Sequence, residues 1–248
     1  MSFQNKQPKV ALITGGSRGI GASIARQLAK DGFAVVINYV SNSTAAKALC
    51  KEINNQGNIA LALQADISIS EQVKALFDEV EKQLGRIDVL VNNAGILTTQ
   101  PLAETSDVLF ARSFAINTQG VFNTLREAAT RLNNDGCIIN LSSTTLALNL
   151  PGYAIYNGTK AAVEAFTKVF AKELKGKNIR VNAVAPGPVA TKLFLEGKSE
   201  EMIQSFAQMS PLERLGQPED IARIVSLLVS PAAGWINGQS IRANGGLA

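Results

Sequence analysis

Tyr156 and Lys160 stand four residues apart at the start of a segment whose Val163, Phe166 and Phe170 fall at helical spacing. On a helix, positions i and i+4 share a face with Cβ atoms about 5–6 Å apart, so a phenol and an ammonium can act on one ligand. The chemistry this suits is proton transfer. A free tyrosine titrates near ~10, and work at neutral pH asks for a downward shift of about 3 units, or about 4 kcal/mol. An opposite charge within about 4–6 Å supplies roughly 1–3 of those units, so Lys160 is expected to provide much of the shift. The chain has no histidine, which removes the commonest general base and zinc ligand and bars a Ser-His-Asp mechanism. Taken alone, the pair also fits an ordinary surface contact on a helix.

Its company matters. Ser143 lies thirteen residues before Tyr156, at the end of the apolar run Ile138-Ile139-Asn140-Leu141, and Asn117 sits in the helix-opening stretch Phe114-Ala115-Ile116-Asn117-Thr118. Singly, they read as a strand-end turn serine and a helix cap. Near the start, Thr14-Gly15-Gly16-Ser17-Arg18-Gly19-Ile20-Gly21 follows an apolar run and opens an amphipathic segment. Gly15 suits a tight turn, Gly19 a close approach to a pyrophosphate, and Gly21 tight packing of helix on strand, while a helix N-terminus offers free N–H groups to an anion. A plain turn is the competing reading. Ala65-Asp66-Ile67, Asn92-Asn93-Ala94-Gly95 and Pro186-Gly187-Pro188-Val189-Ala190-Thr191 also follow apolar runs, where helix N-caps and strand-end turns compete as explanations. No metal centre is expected.

The elements that must carry these residues are legible as a rhythm. Val10–Ile13, Ala34–Ile37, Ile59–Leu63, Val89–Val91, Cys137–Leu141, Val181–Ala185 and Ser240–Arg242 are short, non-alternating apolar runs, as expected of parallel strands covered on both faces. Between them lie helical stripes such as Ile20, Ile24, Leu28 and Val73, Leu76, Phe77, Val80, Leu84. This β-α alternation predicts an α/β fold, a Rossmann-type doubly wound parallel sheet of about seven strands with helices on both faces. Residues 1–248 read as one domain, interrupted by an insertion at about 191–215 where a substrate lid would sit.

The spacings Gly-x3-Gly-x-Gly and Ser-x12-Tyr-x3-Lys, with the Asn-Asn-Ala-Gly and Pro-Gly segments in this order, resemble the short-chain dehydrogenase/reductase family from Val10 nearly to the C-terminus. The likeness is to its 3-oxoacyl-[acyl-carrier-protein] reductase branch and the related reducers of ketones and aldehydes. The resemblance implies that Tyr156 exchanges a proton with the carbonyl or alcohol oxygen and that Ser143 hydrogen-bonds that oxygen. It also implies that Lys160 holds the nicotinamide ribose, with the oxidised nicotinamide's charge adding to its effect on the phenol, and that Asn117 positions a proton-passing water. A dinucleotide would then lie along Gly15, Ser17, Arg18, Gly19, Ile20 and Gly21, with Asp66 and Ile67 at its adenine. Asn93, Ala94 and Gly95 would line the cofactor side, and Pro186, Gly187, Val189 and Thr191, with Tyr156 and Lys160, the nicotinamide end. NAD-preferring sites place a carboxylate near the end of the second strand, where it would repel a 2′-phosphate. Here that stretch, with Asn38, Tyr39, Ser41 and Asn42, has no acid, and Arg18 matches a base of NADP-preferring members. NADP(H) is the expected cofactor, with Arg18 as an ordinary surface charge the alternative.

Of the 248 residues, 46% are hydrophobic and only 18% charged, with a net charge of +4. The scattered basic residues show no nucleic-acid stripe and no membrane patch. The low charge content and the apolar Gly234-Trp235-Ile236 suit subunit contacts, and the resemblance implies a homotetramer joined through helices around 104–133 and 156–175 and the last strand. Two cysteines, a polar Met1 to Val10 and no bilayer-length apolar run point to the cytoplasm. Leu146, Leu148, Leu150, Leu193, Phe194, Leu195, Met202, Phe206 and Met209 predict a hydrophobic carbonyl or alcohol substrate, with helix core the competing and commoner role for some of them. An acyl carrier protein stays open as a partner, although the turn Asn133-Asn134-Asp135-Gly136 lacks the basic rim that would favour it. The alternative from another class is a nucleotide-binding regulatory protein without turnover.

Overall fold

The computed structural model describes residues 7–248; residues 1–6, part of the polar start read above as pointing to the cytoplasm, lie outside that range. In chain order the elements are β1 (Val10–Ile13), α1 (Gly19–Lys30), β2 (Ala34–Tyr39), α2 (Ser43–Asn55), β3 (Ala60–Gln64), α3 (Ser70–Leu84) and β4 (Val89–Asn92). Then follow α4 (Asp107–Phe114), α5 (Gly120–Arg131), β5 (Cys137–Leu141), α6 (Thr145–Leu148), α7 (Ala154–Glu173), β6 (Arg180–Pro186), α8 (Lys192–Leu195), α9 (Glu200–Met209), α10 (Pro218–Val229) and β7 (Ser240–Ala243). The seven strands form one parallel sheet in the order β3-β2-β1-β4-β5-β6-β7. The order reverses between β1 and β4, which opens a crevice beyond the carboxyl ends of the strands.

The central strands are buried on both faces because each face has its own helical layer. Ala11 and Ile13 of β1 pack with Ile24 and Leu28 of α1, Leu49 of α2 and Val225 of α10. Val10 and Leu12 pack with Phe77 of α3, Leu125 of α5 and Val163 of α7. A non-alternating apolar run is what two-sided burial demands. β2 runs two residues past the expected Ile37, since Asn38 and Tyr39 continue the ladder to Leu63 and Gln64 of β3. α10 begins where Pro218 removes an N–H that has no helical partner, and Gln217 and Asp220 form a reciprocal capping box there.

Two segments depart from expectation. Asn117 does not open a helix: α4 and α5 are joined through a π-helical turn, Ala115–Gln119, with Asn117 at its middle and fully buried. One extra residue in the turn leaves the helix continuous while re-aiming a side chain, so no cap is needed. The insertion at 191–215 folds as α8 and α9, and its base is closed by a bridge between Val189 and Gly216, with Ala190 N–H donating to the Gly216 carbonyl at 2.8 Å. Among the described residues no helix is long and apolar enough to cross a membrane, and no group of acidic, cysteine or histidine side chains is placed to hold a metal.

Candidate active site

A cleft of about 680 Å³ runs along the carboxyl ends of the strands, from the glycine-rich loop and the end of β2 to Tyr156 and the helices of the insertion. The loop is shaped by backbone conformations that only glycine takes without strain. Gly15 has φ +60°, and a Cβ there would come within 2.9 Å of the Ala94 backbone. Gly19 has φ +53° and faces the Thr191 side chain. The residue before α1, Arg18, is extended and offers no side-chain cap, so the first N–H groups of the helix are left for an anion in the cleft. Asn93 staples the loop from across the switch point: its Nδ2 donates to the carbonyls of Thr14 and Gly15 at 2.9 and 3.0 Å. The buried Thr14 hydroxyl accepts from the N–H groups of Asn93 and Ala94. The uncapped N–H groups at the start of α1 and the bare glycine backbone held by this staple fit a pyrophosphate.

Gly21 does not reach the cleft, and its tight packing is not against a strand. A Cβ there would lie 2.5 Å from Asn93 Nδ2 and 2.7 Å from the Gly15 carbonyl, so its bareness lets α1 start close to that staple. Ser17, Arg18 and Ile20 line the cleft, as do Asn38, Tyr39, Ser41, Asp66 and Ile67. Asn38 is buried, accepting from Gly15 N–H at 3.3 Å and donating to the Ala65 carbonyl at 3.0 Å. Tyr39 is largely packed into the α1–α2 layer. Asn42 spends its side-chain oxygen capping α2 through Ala45 N–H, whereas Ser41 and Arg18 stay exposed at the rim. Asp66 is no helix cap: α3 begins at Ser70, and the carboxylate closes an Asx turn onto the Ser68 N–H and hydroxyl at 2.9 and 2.7 Å.

At the other end, Ser143, Tyr156 and Lys160 come together, with Ala94, Gly95, Pro186, Gly187, Val189 and Thr191 alongside. Tyr156 and Lys160 are set by the first two turns of α7, and Ser143 by the end of β5. Lys160 is 4% exposed, and its Nζ donates to the Leu141 carbonyl at 2.8 Å. That carbonyl is a backbone group with no side-chain signature, and the reading from sequence had missed it. Burial pushes the ammonium down to about 8. Burial also pushes the Tyr156 phenol up to about 12, with the nearby Ser143 hydroxyl pulling more weakly the other way. The expectation that Lys160 lowers the phenol is therefore corrected for the chain by itself. Its Nζ lies 5.8 Å from the ring centroid, turned to a carbonyl and weakened by its own desolvation.

Asn117 lies behind the cleft wall. Its Oδ1 accepts from Ile96 N–H at 2.8 Å, and its Nδ2 donates to the Ile96 carbonyl and the Thr159 hydroxyl. A Cβ on Gly95 would sit 3.2 Å from Asn117 Oδ1 and 3.6 Å from Lys160 Nζ, so the bare glycine leaves room between the two. The apolar end is walled by Leu148, Leu150, Tyr153, Leu193, Phe194 and Phe206. Leu146, Leu195, Met202 and Met209 do not line it; Met202 is 50% and Met209 44% exposed. Arg112 and Ile116, one helical turn apart, line the cleft and had not been anticipated.

Residues 15–248 match a family model described as enoyl-(acyl carrier protein) reductase. The chain is 44% identical over 248 residues to a short-chain type dehydrogenase/reductase of Picea abies, covering 96% of this chain and 92% of the relative. It is 42% identical to the 3-oxoacyl-[acyl-carrier-protein] reductase of Staphylococcus aureus, across 98% and 99% of the two chains. A blue fluorescent protein from a metagenomic library, solved in complex with NADPH, superposes with a TM-score of 0.92 at 35% identity, over 99% of this chain and 100% of that one. With the motif geometry and these full-length matches together, the chain belongs to the short-chain dehydrogenase/reductase family.

Proposed function

We propose that this protein is an NADP(H)-dependent carbonyl reductase and alcohol dehydrogenase acting on a hydrophobic ketone, aldehyde or 3-oxoacyl substrate. The observation that carries the reading is one cleft with a pyrophosphate cradle at one end and Ser143, Tyr156 and Lys160 at the other, beside an apolar pocket. When bound, the nicotinamide supplies or takes the hydride. In reduction, Tyr156 gives its phenolic proton to the carbonyl oxygen, and a phenol held up near 12 arrives at this step protonated. Ser143 donates a hydrogen bond to the same oxygen, stabilising negative charge where it develops. Lys160 holds the cofactor ribose and restores the proton to Tyr156. Asn117 completes the path outward, since the space beside Gly95 borders both its Oδ1 and Lys160 Nζ and suits a water.

The end of β2 carries no acid, and Arg18 and Ser41 both line the cleft and stay exposed, which favours a 2′-phosphate over a free 2′-hydroxyl. The relative crystallised with NADPH supports this choice. Initial rates of NADPH and NADH oxidation against hydrophobic ketones, aldehydes and an acetoacetyl thioester test the reading. A higher kcat/KM with NADPH is expected, and a preference for NADH overturns the cofactor assignment. Activity on ketones but not on the thioester would mark a stand-alone reductase rather than a partner of acyl carrier protein. The protein works as one domain in the cytoplasm, where its two free, buried cysteines suit a reducing compartment.

A further inference from the structure

Four consecutive residues at the end of β5 face α7, and their bonds follow one helical stripe. The Asn140 Nδ2 donates to the Thr167 hydroxyl at 2.8 Å, and the Ser142 hydroxyl donates to Glu164 Oε1 at 2.8 Å. The Leu141 carbonyl takes Lys160 Nζ, and Ser143 faces Tyr156. Positions 156, 160, 164 and 167 are i, i+4, i+8 and i+11, one face of a helix. Two contacts of this stripe belong to the proposed reaction; the other two do not line the cleft on the helix side.

We propose that Thr167 and Glu164 are positioning residues, whose bonds to Asn140 and Ser142 set the register of α7 on β5 and thereby place Tyr156 over Ser143 and Lys160 at the Leu141 carbonyl. The inference rests on the reading of Tyr156 and Lys160 given above. Apolar contact alone does not define register: Val163, Phe166 and Phe170 hold α7 to the sheet, but such contacts are non-directional. The polar bonds are directional, and breaking one has a cost that opposes slippage. Asn140 and Thr167 are fully buried, and a buried polar group left without a partner costs about 1–3 kcal/mol. Sliding by one residue displaces the helix by about 1.5 Å along its axis, and a misplacement of about 1 Å at reacting groups can cost about 100-fold in rate. The clamp also reaches the cofactor side. Asn140 Oδ1 accepts from Asn92 Nδ2 at 2.9 Å, and the next residue, Asn93, staples the glycine loop.

The test is a set of full-length variants, Thr167→Val, Thr167→Ser, Glu164→Leu and Glu164→Gln, compared with the parent in kcat, both KM values, the pH profile of kcat and melting temperature. Thr167→Val and Glu164→Leu are expected to lower kcat by roughly tenfold and to move the pH profile, with the carbonyl KM little changed. Thr167→Ser and Glu164→Gln keep an oxygen acceptor and should stay near the parent. Unchanged kcat and pH profile in Thr167→Val and Glu164→Leu, whatever happens to melting, overturns the proposal, and so does equal loss in the conservative pair. If Thr167→Val does not fold, Glu164→Leu at its partly exposed position decides. Tyr156→Phe is assayed alongside. Parent-like turnover in that variant sinks the functional reading, whereas its inactivity with silent clamp variants sinks the clamp alone.

Discussion

Desolvation acts with opposite signs on Tyr156 and Lys160, since it always favours the uncharged form. It keeps the phenol protonated and makes the ammonium easier to deprotonate, the directions that the proposed donation from tyrosine and resupply from lysine require. The same shifts make a stability prediction. Lys160 falls from 10.5 unfolded to about 8 folded, so between those values the unfolded chain binds more protons and stability rises with pH. Tyr156 rises from 10.0 to about 12, so its contribution falls over that higher window. Melting temperatures of the parent and Lys160→Met across pH 8 to 10.5 should show a rise with pH that the variant lacks; parallel curves would contradict the buried ammonium. The spacing of Tyr156 and Lys160 fits a surface pair as well, and it singled out this site only together with Ser143, Asn117 and the glycine-rich loop in family order. The direction of the tyrosine shift was not legible in the sequence, because it depends on which atoms surround the phenol and on Lys160 turning to a backbone carbonyl.

At the scale of elements, strand ends supply the site. β1 hands over to the glycine loop, β4 to Asn93 and Gly95, β5 to Ser143, and β6 ends on Pro186 and hands over to Gly187. Their positions could be read in sequence because two-sided burial forces unbroken apolar runs, and turn residues follow at once. The π turn at Asn117 could not, since one added residue barely disturbs an apolar stripe. Nor could the facing of α8 and α9, where Phe194 and Phe206 meet edge to face at 5.3 Å and line the cleft while Met202 and Met209 turn outward. Gly21→Ala tests the packing at the start of α1. The added Cβ would fall 2.5 Å from Asn93 Nδ2 and 2.7 Å from the Gly15 carbonyl. Backbone cannot yield cheaply, so a loss of about 1–3 kcal/mol in stability and weaker NADPH binding are expected, read by denaturant melts and cofactor titration. Parent-like values for both would contradict the close approach.

Taken whole, the molecule leaves apolar surface that one chain does not cover. Val108 is 77% exposed and Trp235 wholly so, and Phe110, Phe122 and Val169 add to it on α4, α5 and α7. Exposed apolar side chains on these elements suit subunit contact, and we propose a homotetramer through these helices and β7. Light scattering after size exclusion should give four times the chain mass of 26.3 kDa; a clean monomer would contradict it. In the proposed reaction Tyr156 carries the proton, while the rest of the cleft binds cofactor and substrate. The most direct test of that role is Tyr156→Phe, assayed for turnover of a hydrophobic ketone and, separately, for NADPH affinity by fluorescence titration. A fall in kcat of about 100-fold or more is expected, with NADPH affinity close to the parent's. Turnover near the parent level, with NADPH still bound, would contradict that role.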